Sequence, residues 1–205
     1  MLKGLLQSEL FYCDHLGVSE RDEADIMNFT IDRDEGAGLL DYIQHLAFPE
    51  EDAGLMRTYV VRDNRSSEMV GYFSLKAGLI SLNERQVEDT DAETGEKKQI
   101  TVFDTLPGVE LANFAVNSTY VHNHKELTGI GLVIFNQFIL PIVRQISAHV
   151  GVKILYIFAL PYENLIKRYH EQYGFSRLGN PDEDELHKRL KPFYDRWCKF
   201  MYLIL

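Results

Sequence analysis

Cysteine is scarce in this chain: Cys13 and Cys198 are the only two in 205 residues, and they lie at opposite ends with no repeated spacing. That excludes a disulfide framework and a thiolate zinc site, and makes a reducing, cytoplasmic setting the expectation. Cationic charge is also short. The sequence has 21 Lys and Arg against 31 Asp and Glu, a formal net charge of -10. Binding phosphates needs clustered Lys and Arg that release counterions, so no nucleic-acid partner is favoured. Long uninterrupted hydrophobic runs are absent. The most apolar stretch, 129–143, contains Asn136, Gln137 and Pro141 and meets Arg144, short of the ~20 clean residues of a membrane span. It reads as a buried helix, and no membrane association is expected. The leading "MLKGLLQSELFYC" is broken by Gln7, Ser8 and Glu9 before a signal-peptide core can form, so a secretion signal is not expected. A GxxxxGK[ST] loop, internal repeats and low-complexity tracts are all missing.

What is present suits a core-forming domain. With 45% hydrophobic residues the chain is expected to fold as a single domain over 1–205, with an acidic insertion at about 80–107. Residues 1–108 hold 22 acidic and 10 basic side chains, whereas 109–205 hold 9 and 11. Acidic loops often serve solubility alone; the functional reading is an anionic cofactor held by the second half and a cationic substrate approaching the first. Along the chain, "DIMNFTID" (25–32) reads as a first strand and "GAGLLDYIQHLAF" as a helix closed by Pro49 and the acids after it. "RTYVVRD" and "MVGYFSLKA" form a hairpin across "NRSSE". "NERQVEDTDAETGEKKQ" reads as an exposed long hairpin or loop, and "GVELANFAVN" returns to strand character. "VKILYIFAL" is a strand buried on both faces. "YENLIKRYHEQYGF" is a helix stopped by Gly174, followed by a strand "FSRL", a short helix "DEDELHKRL" and a final strand "CKFMYLIL". The order is that of a mixed α/β sheet.

Two chemistries compete in "YVHNHKELTGIGLVIFNQFIL" (120–140). A metal site needs three or four donors; in an extended segment His122 and His124 point to opposite faces, and the other histidines have no helical pairing, so no metal is expected. The phosphate reading is physically better founded. The first turn of a helix leaves backbone N–H groups without partners and the helix dipole adds positive potential, so a diphosphate fits where no side chain intrudes. Gly129 and Gly131 remove that side chain at the junction of a polar loop and an apolar helix, with Lys125 nearby. A lone GxG more often serves tight packing, so context has to decide.

The context resembles one family. The strand "ELANFAV", the glycine pair opening a helix, the buried "ILYIFAL" and the ending "RYHEQYGFSRL", in order over residues 57–205, are similar to the GNAT superfamily of acyl-CoA-dependent N-acetyltransferases. The resemblance implies a GNAT-like α/β (α+β) fold, its central mostly antiparallel sheet carrying a splayed parallel strand pair flanked by helices. It implies acetyl-CoA as co-substrate, no metal, and acetyl transfer to a primary amine by direct attack in a ternary complex. The family's turn Q/R-x-x-G-x-G/A is filled by Glu126-Leu127-Thr128-Gly129-Ile130-Gly131, a departure at the first position for which Lys125 would compensate. Coenzyme contacts are implied at Lys125, Thr128, Gly129, Ile130, Gly131 and Leu132, at Asn164, and at a bulge exposing N–H groups of Phe114, Ala115 and Val116 as oxyanion donors. Glu110 stands where some members place their base. The tyrosine that many members use to protonate the thiolate is replaced by His170, leaving His170 and its neighbour Tyr169 as candidate acids. The acidic first half favours a cationic acceptor such as a polyamine, an aminoglycoside-like amine or a protein amine, and a homodimer is compatible with the family. Two alternatives remain: a non-catalytic CoA-binding or interaction module, and a toxin-like enzyme acetylating aminoacyl-tRNA, since "MVGYFSLKA" resembles the hairpin of some such members.

Overall fold

The computed structural model describes residues 5–190 and 197–205, with residues 82–84 described by their backbone alone. The chain divides into two compact units: residues up to Ala77 with Val109–Val150, and Gly78–Gly108 with Gly151–Leu205.

In the first unit an antiparallel sheet runs in the order β1 (Leu6–Gln7), β2 (Phe11–His15), β3 (Arg57–Asp63), β4 (Met69–Thr90) and β5 (Lys97–Val116), the last two strands continuing into the second unit. The "NRSSE" hairpin joins β3 to β4 from Arg57↔Leu75 to Arg62↔Met69, with a register break between Val61 and Arg62. β1 and β2 have no counterpart in the sequence reading, although Phe11, Tyr12 and Cys13 are buried one after another. The strand expected at 25–32 does not form. Asp22–Met27 is a helix whose first turn carries Asp22, Glu23 and Asp25, the placement of acids that a helix N-terminus favours. The chain after it is tied elsewhere, the Thr30 carbonyl accepting from the Ser118 N–H at 2.9 Å.

Pro49 does not close its helix. Helical structure runs through Ala37–Asp41, the π-helical Tyr42–Leu46 and Ala47–Asp52. The same arrangement recurs in Ile130–Ile134, the π-helical Phe135–Ile139 and Leu140–His149, which contains Pro141. A proline ring clashes with the carbonyl four residues back, and a wider π turn just before it relieves that clash. The apolar run therefore extends into a 20-residue helix, Ile130–His149, of mean hydropathy 1.5, long and apolar enough to cross a membrane by length and composition. Ile134, Phe135, Phe138, Ile139, Ile142 and Val143 are buried along it, which is the face of a core helix. A core of Leu16, Ile26, Phe29, Tyr42, Ile43, Val60, Met69, Tyr72 and Ala115 fills the unit.

A carboxylate tunes this unit's acid stability. Asp63 accepts from the Tyr120 hydroxyl at 2.6 Å and from the Arg65 and Ser66 N–H groups at 2.7 and 2.9 Å. Burial pushes its pKa up, but these hydrogen bonds outweigh burial and hold it below the ordinary value. A carboxylate depressed in the folded state adds stability above its unfolded pKa and loses it as pH falls through the folded one. Tyr120→Phe is therefore expected to cost about 1 kcal/mol at neutral pH, roughly 2–4 °C in Tm, with the deficit shrinking in melts taken at acid pH.

In the second unit the strand order is β4, β5, β6 (Ile154–Ala159), β8 (Lys199–Ile204) and β7 (Ser176–Arg177). β6 is buried at every position, as its unbroken apolar run predicts, and pairs antiparallel with β8 from Ile154↔Ile204 to Ala159↔Lys199. β5 and β6 are the parallel pair of an otherwise antiparallel sheet. Ile80, Ile154, Tyr156, Phe158, Leu186, Cys198 and Phe200 form the core. The helices Glu163–Glu171 and Asn180–Arg189 and the strand β7 fall where the sequence places them.

Candidate functional site

In the first unit the glycine turn follows β5 by way of a short helix, Ser118–Asn123, capped by the Asn117 side chain accepting from the Thr119 N–H at 3.1 Å. That helix is absent from the sequence reading and places His122 on a helix instead of an extended loop. The residues between it and the long helix are open: Lys125, Glu126, Thr128 and Gly129 are exposed, Gly131 and Leu132 half-buried and Ile130 buried. Gly129 caps helix 130–149 at φ +67, a left-handed conformation that favours glycine. A Cβ built there meets nothing within 4 Å, so protein does not plug the helix start at this residue. The N–H groups of the first turn have no acceptor within their own helix.

Glu126, the departure from the family turn, has a partner that the sequence does not announce. Nδ1 of His124 lies 3.4 Å from its carboxylate, and Nε2 of the same ring lies 3.2 Å from Glu68. The ring stacks on Tyr120 at 4.2 Å between centroids. Upstream, Glu110 is buried at 9% exposure within β5. At the end of that strand the regular alternation of burial is lost: Ala112, Asn113 and Phe114 are all half-buried, Ala115 is buried and Val116 half-buried. β4 comes very close there, since a Cβ on Gly71 would sit 2.6 Å from the Ala115 carbonyl oxygen.

In the second unit the helix Glu163–Glu171 carries the other candidates. Asn164 and His170 are exposed and Tyr169 is half-buried. Tyr169 packs against Tyr173 and Phe175 at 5.4 and 5.7 Å. Burial first, and Tyr173 second, push its phenol pKa well up, so it stays protonated at neutral pH. His170 Nδ1 lies 2.8 Å from the Phe175 carbonyl; a carbonyl only accepts, so that nitrogen carries the proton and Nε2 is left for other work. His170 also lines a groove of about 480 Å3 with Glu163, Ile166, Lys167, Arg177 and Met201.

No protein-family model and no curated protein matches the sequence. Solved structures do. A tyrosine-to-phenylalanine mutant of the AtaT toxin superposes with a TM-score of 0.60 at 16% identity, covering 100% of this chain and 93% of its own. A tyrosine-to-phenylalanine mutant of KacT gives 0.60 at 13% identity over 96% of this chain and 95% of its own. AtaT complexed with acetyl-methionyl-tRNAfMet gives 0.57 at 15%, covering 95% and 94%. The fold is that of the GNAT acetyltransferases.

Within this GNAT fold the glycine turn and the part of β5 from Val109 to Val116 belong to the first unit, and His170 and Tyr169 to the second. The sequence reading missed the groove's other polar members. Glu163, Ile166, Lys167 and His170 are spaced i, i+3, i+4, i+7, a single helix face, so three of the partners were legible from spacing. Arg177 was not, because it reaches that face only through its pairing with Met201 on β8.

Proposed function

We propose that the chain is an N-acetyltransferase that gathers acetyl-CoA and a primary amine in a ternary complex and transfers the acetyl group directly. The observation that carries this reading is the open, glycine-capped start of a 20-residue helix that follows β5 in a GNAT fold. A neighbour of that fold, AtaTR, is solved bound with AcCoA, at a TM-score of 0.57 and 15% identity. The neutral amine nitrogen bonds to the thioester carbonyl carbon, charge collects on the carbonyl oxygen, and the C–S bond breaks as the carbonyl re-forms. The amine loses a proton and the thiolate gains one. Glu110 is assigned the first proton transfer, His170 or the protonated Tyr169 the second, and the N–H groups of Phe114 to Val116 the oxyanion. The first-turn amides from Gly129 to Leu132, with Thr128 and Lys125, are assigned the diphosphate, and Asn164 a further coenzyme contact. The free cysteines Cys13 and Cys198, both buried, suit the reducing cytoplasm in which we place the protein.

A charge test isolates the diphosphate. Asn and Asp both tolerate the left-handed backbone of residue 129 and have nearly the same shape. Gly129→Asp is expected to bind acetyl-CoA about tenfold more weakly than Gly129→Asn in calorimetry, because only the former sets a carboxylate beside the phosphates. Equal affinities would remove the diphosphate from this turn.

The acceptor is proposed from charge. The first unit holds 17 acidic and 9 basic residues, which favours a cationic amine. A second reading, acetylation of aminoacyl-tRNA, is supported by the neighbour complexed with acetyl-methionyl-tRNAfMet; the net charge of -10 opposes a polyanionic partner. Thiol release from acetyl-CoA, measured against polyamines, aminoglycosides, lysine peptides and aminoacyl-tRNA, separates the readings. Release is expected with the cationic amines. Release with aminoacyl-tRNA alone would transfer the assignment to the second reading, and coenzyme binding without release for any amine would make the chain a binding module.

A further inference from the structure

The arm built from the distal parts of β4 and β5 carries none of the residues assigned to acetyl transfer. β3 pairs with β4 only as far as Leu75, while β4 continues to Thr90. Among the described residues no strand lies beside β4 over its last fifteen residues on the side that β3 occupies. The arm is held by its own rungs: Gln86 donates to Thr101 at 2.8 Å, Lys97 meets Glu88 at 2.7 Å, and Arg85 meets Asp104. Its cover is slight: Arg85, Gln86, Glu88, Ile100, Thr101 and Phe103 are exposed, Val87 and Val102 half-buried, and on one face the Arg189 guanidinium lies over the Phe103 ring at 4.4 Å. A two-stranded ribbon with so little cover is marginal on its own, and a long open edge is a template for another strand.

We propose that this edge is a docking surface for an extended, basic segment of a partner protein, which adds as a further β-strand along β4. Backbone geometry provides the donors. The Asp91 N–H donates to the Glu96 carbonyl across the hairpin at 2.9 Å, and inward and outward groups alternate along an antiparallel strand, so the N–H groups of Glu88 and Gln86 face away from β5. Charge selects the partner. Residues 78–108 hold seven acidic and three basic side chains, so pairing two copies of the arm edge to edge would bring like charges together across adjacent strands. Like charges directly opposite in a sheet are destabilising, whereas a strand bearing Lys or Arg is attracted. The surface is therefore built against self-association and for a cationic strand, with Val87, Ile100 and Val102 offering apolar contact on one side.

The test uses the full chain and labelled synthetic peptides long enough to span the edge, in which valine alternates with lysine, threonine or glutamate. Fluorescence anisotropy is expected to show binding of the lysine peptide alone, with new hydrogen-exchange protection at Gln86 and Glu88. Gln86→Pro and Glu88→Pro remove outward donors that the hairpin does not use and are expected to weaken binding by roughly tenfold or more. Should either variant alter the thermal melt, Glu88→Lys with Asp89→Lys serves instead, keeping the backbone and reversing the charge, with the same expected loss. Binding of all three peptides alike, full binding by the proline and lysine variants, or a dimer in sedimentation that the lysine substitutions abolish would each overturn the proposal. The dimer outcome would assign the edge to a second copy of the chain.

Discussion

Replacing Arg62 by methionine is expected to be the most destabilising single change in the first unit, costing about 3–5 kcal/mol and, for a chain of this size, roughly 6–20 °C of Tm. Arg62 is 2% exposed. Its guanidinium donates to Asp22 and Asp25, both at 2.6 Å, and to the Ser67 carbonyl at 2.9 Å. Asp22 in turn accepts from the Gly17 and Ser19 N–H groups at 2.8 and 3.2 Å, so this one cation fastens the Asp22–Met27 helix, the turn before it and β3 together. Burying a paired charge contributes little net stability, because desolvation offsets the attraction. Removing one member is different, since it leaves Asp22 buried and charged with no cation. The deficit of Arg62→Met is expected to appear in urea titrations at neutral pH as a lower midpoint. Adding Asp22→Asn and Asp25→Asn removes the stranded charges and is expected to restore part of the loss. A cost below about 1 kcal/mol, or no recovery in the triple variant, would show that the cluster behaves as an ordinary surface pair.

The same cluster shows where reading the sequence stops. Arg62 and its two carboxylates are 40 and 37 positions apart, and nothing in "RTYVVRD" distinguishes a buried, doubly paired arginine from an exposed one. The acids of Asp22–Met27 are visible in the sequence, yet the segment from Asp25 reads as a strand, since Ile26, Met27, Phe29 and Ile31 lie in a window too short to separate a period of 2 from one of 3.6. Signals that are complete within a few residues did survive folding. The all-apolar run of β6 is buried at every position, Gly174 after the Glu163–Glu171 helix has φ +77, and Gly129 has φ +67 where the turn required it. Pro49 misled for a related reason. The rule that proline stops a helix assumes regular hydrogen bonding, and the π turn placed just before it changes that premise. The candidate site divides along the same line, with the glycine turn local and legible. The groove beside His170 needs Arg177 from another strand, and the partnership of His124 with Glu126 also depends on Glu68, 56 residues earlier.

Glu110→Gln is expected to lower kcat/KM for alkylamine acceptors by about 10²–10⁴ while leaving acetyl-CoA affinity unchanged. The substitution keeps the size and shape of a side chain that is 9% exposed in β5, so β5 and its neighbours should pack as before; what disappears is the capacity to take a proton. Loss of activity alone would not separate a base from a scaffold residue, because either can misplace the amine. Acceptor basicity separates them. An alkylamine is protonated at neutral pH and needs a base to make it nucleophilic, whereas a weakly basic amine is already neutral and needs little help until its nitrogen acquires charge in the transition state. Under the proposed role the Gln variant loses much less rate with the weakly basic amine, and a scaffold role penalises both alike. The pH profile gives a second, independent reading. With an amine that stays neutral over the whole range, any decline of kcat/KM toward acid must come from the enzyme, and a single base contributes a tenfold loss per pH unit below its own pKa. That limb should be present in the natural chain and gone from Glu110→Gln. If the variant retains the limb, the proton is taken by another group, and the buried carboxylate of β5 shapes the sheet without entering the chemistry.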